Sequence, residues 1–180
     1  MSAPIKNRRP FFKGLGSVAI VLALAVSACA SEQSPTYIGT HITTDQDRQA
    51  ILDVLNTYTR AVNTGDQALF ESQLLDQKIP FFGLGGTLPP SFEPRLASVQ
   101  DYASFKQGFP KSGQGFNQRF YNIHIEQDGD LAQASLNFEN APIDDSGAAN
   151  GWKTIQLLKV AGHWKIASEF YTVYDGKAPD

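Results

Sequence analysis

Between Asp45 and Asn63 the apolar positions Ile51, Val54, Leu55, Tyr58, Ala61 and Val62 recur at spacings of three and four, one stripe along a helix. Thr43-Thr44-Asp45 supplies an N-cap with acids in the first turn, and Gly65 stands where that helix should stop. Asp66 is placed to cap a second, shorter helix through Leu74. Ile79-Pro80-Phe81-Phe82 is apolar but short, and fits an edge strand or a pocket wall. The Gly- and Pro-rich stretch 83–97 is a long loop whose Leu88 and Phe92 suit a lid or a packing flap. No Lys-Ser/Thr and no helix follows its glycines, so it is not a phosphate cradle. Ser98-Val99-Gln100-Asp101 reads as a capping box for a third helix, which carries Tyr102 and Phe105 and ends near Gly108.

From Gln118 the period changes to two. One face of the first long strand shows Arg119, Tyr121, Ile123 and Ile125; the other shows Phe120, Asn122, His124 and Glu126. Asp128-Gly129 makes a hairpin turn, and the return strand alternates Ala132, Ala134, Leu136 and Phe138 with Gln133, Ser135, Asn137 and Glu139. After a polar loop (Asp144 to Asn150) come strands over Trp152–Val160 and His163–Val173, joined by a turn at Ala161-Gly162. In the last strand Trp164, Ile166, Ser168 and Phe170 are expected on one face. Helices first, then an antiparallel meander of at least four strands, make the class α+β. Several strands are apolar on both faces, which leaves room for a second buried surface, as a dimer interface or as cover by loops.

The first 28 residues are of another kind. A basic start (Lys6, Arg8, Arg9, Lys13) precedes an apolar run from Leu15 to Ala28, the layout of a secretory signal. The run is too short for a bilayer-spanning helix, which needs roughly 20 residues. It ends in Val26-Ser27-Ala28-Cys29, which resembles the lipobox of bacterial lipoproteins, so Cys29 is expected to become the diacylated, palmitate-bearing first residue. Ala28-Cys29-Ala30 also fits plain signal-peptidase cleavage, which would release a soluble periplasmic or secreted protein. Residues 1–28 are thus the signal peptide, 29–43 a flexible tether without apolar periodicity, and 44–175 one domain. Ala30 and Ser31 lack the aspartate of inner-membrane retention, so the expected place is the outer membrane, periplasmic side, of a Gram-negative envelope. Removal of the leader takes four basic side chains and no acidic ones, so the formal charge falls from −3 to −7. An acidic domain without basic clusters is not expected to bind nucleic acid, and its membrane contact is through the lipid anchor alone. Cys29 is the one cysteine, which excludes disulfides, a thiol catalyst and a Cys-based metal site from the domain.

Asp128-Gly129-Asp130-x-Ala132, then Leu158-Lys159-Val160-Ala161-Gly162-His163-Trp164-Lys165-Ile166, resembles the C-terminal half of the nuclear transport factor 2-like superfamily. Ala61-Val62-Asn63-Thr64-Gly65-Asp66 resembles the end of its first helix. The likeness covers roughly residues 45–174 and lies nearest the SnoaL-like and lumazine-binding-like small domains. It implies a curved antiparallel sheet of about 4–6 strands, wrapped by three N-terminal helices into a cone (a cystatin-like roll) with an apolar pocket. It also implies a homodimer packed through sheet surface. Enzymes of the superfamily (ketosteroid isomerase, scytalone dehydratase, SnoaL-type cyclases) use an Asp or His acid/base aided by Tyr or Asp donors. No such set maps onto this chain: the stretch Ile79–Leu84, where an active-site carboxylate might be sought, offers only Ile, Pro, Phe, Gly and Leu.

Aromatic residues to spare make Tyr58, Phe82, Tyr102, Phe105, Tyr121, Phe138, Trp152 and Phe170 the pocket candidates, with Phe81 beside them. Gln156 and Ser168 join them as polar positions on apolar strand faces, explained equally by a cross-strand hydrogen bond. His124 on a polar face, His163 in a turn and His41 in the tether form no metal site, and no cofactor is expected. Glu139, Glu169 and Tyr171 read as solvated, and Arg119 as a cation for an anionic ligand or a snorkelling strand end. The leading reading is a tethered, non-enzymatic domain that binds a small, largely apolar molecule. The alternatives are a SnoaL-like isomerase, dehydratase or cyclase, and a structural or partner-binding envelope lipoprotein with a filled cone. The anchor has a direct test: Cys29→Ser is expected to release the protein from the membrane fraction or leave it unprocessed. Unchanged size and unchanged membrane association would rule out the lipobox.

Overall fold

The computed structural model describes Pro35, Gly39 and residues 41–85, 101–112, 116–142 and 149–175. The signal segment, Cys29, most of the tether, the loop's residues 86–97, Ser98 and residues 143–148 lie outside them.

Helix α1 spans Asp45–Thr64, capped by Thr44, whose Oγ1 accepts from Asp47 N at 3.1 Å. Its end at Gly65 needs a left-handed residue (φ +67°), and a Cβ there would also strike the backbone of Lys111 and Ser112. Helix α2 spans only Gln67–Glu71, although Asp66 caps it as expected. It stops short of Leu74 because Leu75 N donates to Ile166 O and Ile166 N donates to Gln73 O, so the sheet claims that backbone. After β1 (Phe81–Gly85), helix α3 spans Tyr102–Gln107. The capping box there is Asp101 with Ser104, whose N–H and hydroxyl serve the cap, rather than the expected Ser98 with Asp101. Four long strands follow: β2 (Phe116–Asp128), β3 (Leu131–Pro142), β4 (Ala149–Val160) and β5 (His163–Asp175).

The strands form one curved sheet in the order β1-β5-β4-β3-β2. It is mixed rather than wholly antiparallel, because β1 runs parallel to β5 along its free edge. Residues 73–75 and Pro80 already bond to that edge, so the chain enters β1 alongside β5. The two-residue turn Ala161-Gly162 has φ +50° and +80°, the pair of positive angles that matches strand twist.

Two β-bulges decide which side chains face inward. In β2 the pairing jumps between Tyr121 and His124, with Asn122 at φ +51°. Gln118 and Phe120 point inward before the bulge, and Ile123, Ile125 and Gln127 after it. The expected grouping of Arg119 and Tyr121 with Ile123 and Ile125 therefore breaks at Asn122. In β5 Gln156 pairs with Ser168 and Leu157 with Ile166, which leaves Ala167 extra. Trp164 and Ile166 point inward, but beyond the bulge Glu169 does so in place of Phe170. An added residue of this kind reverses the alternation from there on.

The inner face carries Ala132, Ala134, Leu136, Phe138, Ile155, Leu157 and Ile166, and α1 lays Ile51, Leu55, Tyr58 and Val62 across it. Each large side chain so buried contributes roughly 1.5–3 kcal/mol. The register brings both hairpin turns to one end of the sheet, and the described strand ends 85, 116, 142, 149 and 175 to the other.

At the turn end Asp47 anchors the helix. Its Oδ1 accepts from Lys159 Nζ at 2.7 Å and Trp164 Nε1 at 3.0 Å, and its Oδ2 accepts from Gln127 Nε2 at 2.8 Å. These donors, Lys159 first, hold the Asp47 carboxyl well below the usual carboxylate range. A depressed folded-state pKa contributes stability that is complete above the unfolded value and is lost as pH falls below it. Melting temperature is therefore expected to fall on acidification, and to fall less steeply in Asp47→Asn, from a lower start, between about pH 5 and pH 2. Parallel curves for the two proteins would remove Asp47 from the acid response.

Candidate functional site

Halfway along the inner face three elements deliver polar groups to one point. The α1 stripe carries Tyr58 over the sheet. On β4, Lys153 shares its face with Ile155 and Leu157, between Leu136 on one side and Tyr171 on the other. The Ala167 bulge turns Glu169 inward beside Ile155. Lys153 Nζ lies 2.7 Å from Glu169 Oε1 and donates to Tyr58 OH at 2.7 Å, while Tyr58 OH donates to Glu169 Oε1 at 3.0 Å. Lys153 is 2% exposed, and Tyr58 and Glu169 are 0% exposed.

Aromatic rings enclose this triad. The Lys153 ammonium stands 4.5 Å from the ring centre of Tyr58, 5.0 Å from Phe138, 5.2 Å from Tyr171 and 5.4 Å from Phe120. Such faces attract a cation and offset part of its desolvation. Gly83 on β1 makes room for Tyr171: a Cβ there would stand 2.6 Å from the Tyr171 hydroxyl. Beyond Tyr58 the rings of Phe70, Phe81, Tyr102, Phe105 and Phe109 pack edge to face and in offset stacks.

Burial pushes the Lys153 ammonium down from its ordinary pKa, and Glu169 pulls the other way. Burial, then the Glu169 charge, push the Tyr58 and Tyr171 hydroxyls up, so both stay protonated as donors. Glu169 Oε2 is buried and has no hydrogen-bond partner among the described residues. The arrangement is a carboxylate fixed by a cation and a phenol through one oxygen, with its other oxygen left unbonded among the described residues.

No family model matches the chain, and no curated protein matches it. Solved structures do. A cystatin-like protein of unknown function from Nostoc punctiforme is 14% identical at a TM-score of 0.55, over 73% of this chain and 93% of that one. A nuclear transport factor 2-like protein of unknown function from Shewanella baltica is 18% identical at 0.52, over 74% and 98%. A nuclear transport factor 2-like protein with a cystatin-like fold, from Novosphingobium aromaticivorans, is 12% identical at 0.54, over 74% and 85%. The fold is the nuclear transport factor 2-like cone.

The cone sorts the residues expected at its pocket into two sets. Tyr58, Tyr102, Phe105 and Phe138 are inside, packed with the aromatic core. Tyr121, Trp152 and Phe170 are 43%, 53% and 45% exposed on the outer face, where Phe82 lies beside Phe170 at 6.2 Å between ring centres. Gln156 and Ser168 are also on the outer face, joined by Ser168 Oγ donating to Gln156 Oε1 at 2.9 Å. Cys29 lies outside the described residues. Glu169 and Tyr171, expected in solvent, are in the cone because Ala167 shifts the alternation. Sequence reasoning does not single out Lys153, yet its parity with Ile155 and Leu157, well inside a strand whose other lysine on that face (Lys159) stands near its end, is a usable signal. Arg119, His41, His124 and His163 are exposed. Among the described residues no three His, Asp, Glu or Cys side chains could hold a metal ion.

Breaking a buried pair at one end costs about 3–5 kcal/mol, while replacing both partners by apolar residues is close to neutral. Lys153→Met alone is therefore expected to destabilise by about that amount in urea unfolding, and Lys153→Met with Glu169→Leu to recover most of it. Additive losses in the double variant would show that the two charges do not depend on each other.

Proposed function

We propose that the cone binds a small, largely apolar molecule carrying one hydrogen-bond donor, and that Glu169 Oε2 accepts from that donor. The observation that carries this reading is the buried Glu169 carboxylate oxygen, which has no hydrogen-bond partner among the described residues. Such an atom costs free energy comparable to a lost charged hydrogen bond unless something occupies it. Half-buried Phe105, Phe120, Tyr171 and Val173 border the interior, and they offer flat apolar surface to a ring-bearing ligand. The domain would be held at the periplasmic side of the outer membrane through lipidated Cys29, a reading supported by the lipobox-like residues 26–29. No described helix is long and apolar enough to cross a membrane. Pairing of two copies through the outer sheet face is a separate proposal, supported by its exposed aromatic residues.

One observation favours isomerase, dehydratase or cyclase chemistry as a second reading. Glu169 is a carboxylate inside the cone with the protonated Tyr171 hydroxyl two residues along the same strand face, a base and a donor on one side of a bound molecule.

Native mass spectrometry of the full chain, isolated from its own cells without denaturation, is expected to show an added small-molecule mass. The Lys153→Met, Glu169→Leu double variant keeps its fold on the argument above and is expected to be empty. An adduct retained by the double variant, or a wild-type protein without adduct whose cone is filled by its own side chains in a crystal structure, would overturn the reading.

A further inference from the structure

Among the described residues three buried side-chain oxygens lack a hydrogen-bond partner: Glu169 Oε2, Gln118 Oε1 and Gln127 Oε1. Both glutamines belong to the inner face of β2, one at each end of it. Gln127 lies at the turn end, where its amide nitrogen donates to Asp47 Oδ2 and to Gly129 O. Between that end and the triad, α1 places Ile51 and Leu55, and β4 places Ile155 and Leu157, all of them buried. A ligand on Glu169 is closed off from Gln127 by that layer, since a packed core leaves few gaps larger than a water molecule.

Towards the strand ends the packing is looser. The Phe120–Phe138–Gly151 row stands between the Leu136–Lys153 row and the Gln118–Asn140 row, and on this side Phe120, Asn140, Tyr171 and Val173 are only half-buried. The Phe120 ring centre is 5.4 Å from Lys153 Nζ, which itself lies 2.7 Å from Glu169 Oε1. Gln118 is two residues further along the same face of β2, about 6.8 Å on. Glu169 Oε2 and Gln118 Oε1 are therefore on the order of 10 Å apart, the span of two linked six-membered rings, with the Phe120 row between them. Gln118 is 6% exposed and firmly held. Its backbone exchanges two hydrogen bonds with the Asn63 amide, and its side-chain nitrogen donates to Asn140 Oδ1 at 2.9 Å. Those contacts occupy every polar atom of the residue except Oε1, a fixed acceptor that is costly to bury unless a donor reaches it.

We propose that Gln118 Oε1 accepts a second hydrogen bond from the molecule in the cone, so that the ligand class is an elongated, ring-bearing compound with a hydroxyl or amine donor at each end. This role rests on the reading of Glu169 above, and it makes Gln118 the residue that selects for ligand length. Calorimetric titration of the full chain with para,para′-biphenol, para-phenylphenol and hydroquinone tests it. The biphenol has a donor at each end of two linked rings, phenylphenol has the same rings and one donor, and hydroquinone has two donors set too close together. Wild type is expected to bind the biphenol about tenfold more tightly than phenylphenol, and hydroquinone no more tightly than phenylphenol. Gln118→Met keeps the side-chain length and the Asn63 contacts to the backbone, and is expected to stay folded and to bind the two biphenyl compounds equally. Equal binding of the two by wild type, or a preference that survives in Gln118→Met, would overturn the two-ended ligand and leave the Glu169 reading standing. Saturable binding of neither compound would overturn both.

Discussion

A lysine ammonium and a glutamate carboxylate can leave water together inside aromatic walls only if their geometry is good, since desolvating each costs several kcal/mol. Here the geometry depends on three separate pieces of chain. Lys153 comes from β4, Glu169 from β5 and Tyr58 from α1, and the three polar atoms are mutually bonded within 3.0 Å. A helix rotated by one position, or a strand slipped by one residue, would leave two charges stranded. The pair thus acts less as a source of stability than as a condition on register that the surrounding core must meet.

The rest of the inner layer is arranged around that condition. Helix α1 is fastened by polar contacts at three levels: Asp47 at the turn end, Tyr58 at the middle, and Asn63 at the far end, where its amide donates to Gln118 O and accepts from Gln118 N. Apolar packing alone would allow the helix to slide, because its stripe repeats every turn. Glu71 plays the same part for α3, accepting from Tyr102 OH at 2.9 Å and lying 2.8 Å from Lys106 Nζ. That network presses the rings of Tyr102 and Phe105 onto Phe70 and Phe81, at the cone's side nearest the triad.

What could be read in the sequence follows from where periodicity holds. The stripe Ile51–Val62 located α1, Gly65 its end, and Ala161-Gly162 the last hairpin, because each rests on a rule local to a few residues. The inner set Ala132–Phe138 was visible for the same reason, since β3 has no bulge of its own. Past Asn122 and past Ala167 the alternation changes sides; Asn122, of a type that tolerates a positive φ, is only a weak signal of it, and Ala167 gives none. Strict alternation therefore puts Phe170 inward and Glu169 outward, and it conceals the charged heart of the candidate site. Lys153 was legible in principle, but its significance depends on an opposing carboxylate that the β5 bulge supplies.

Ala167 has a consequence for how such a domain changes over time. Loss of a residue such as Ser168, just beyond a bulge that is kept, would leave the helices, the sheet order and most of the core where they are, yet bring Phe170 into the interior place of Glu169. Substitution would need several steps to achieve the same swap. The scaffold therefore separates shape from reactivity: its outline is set by many positions, while the character of its interior can be rewritten by one change in length.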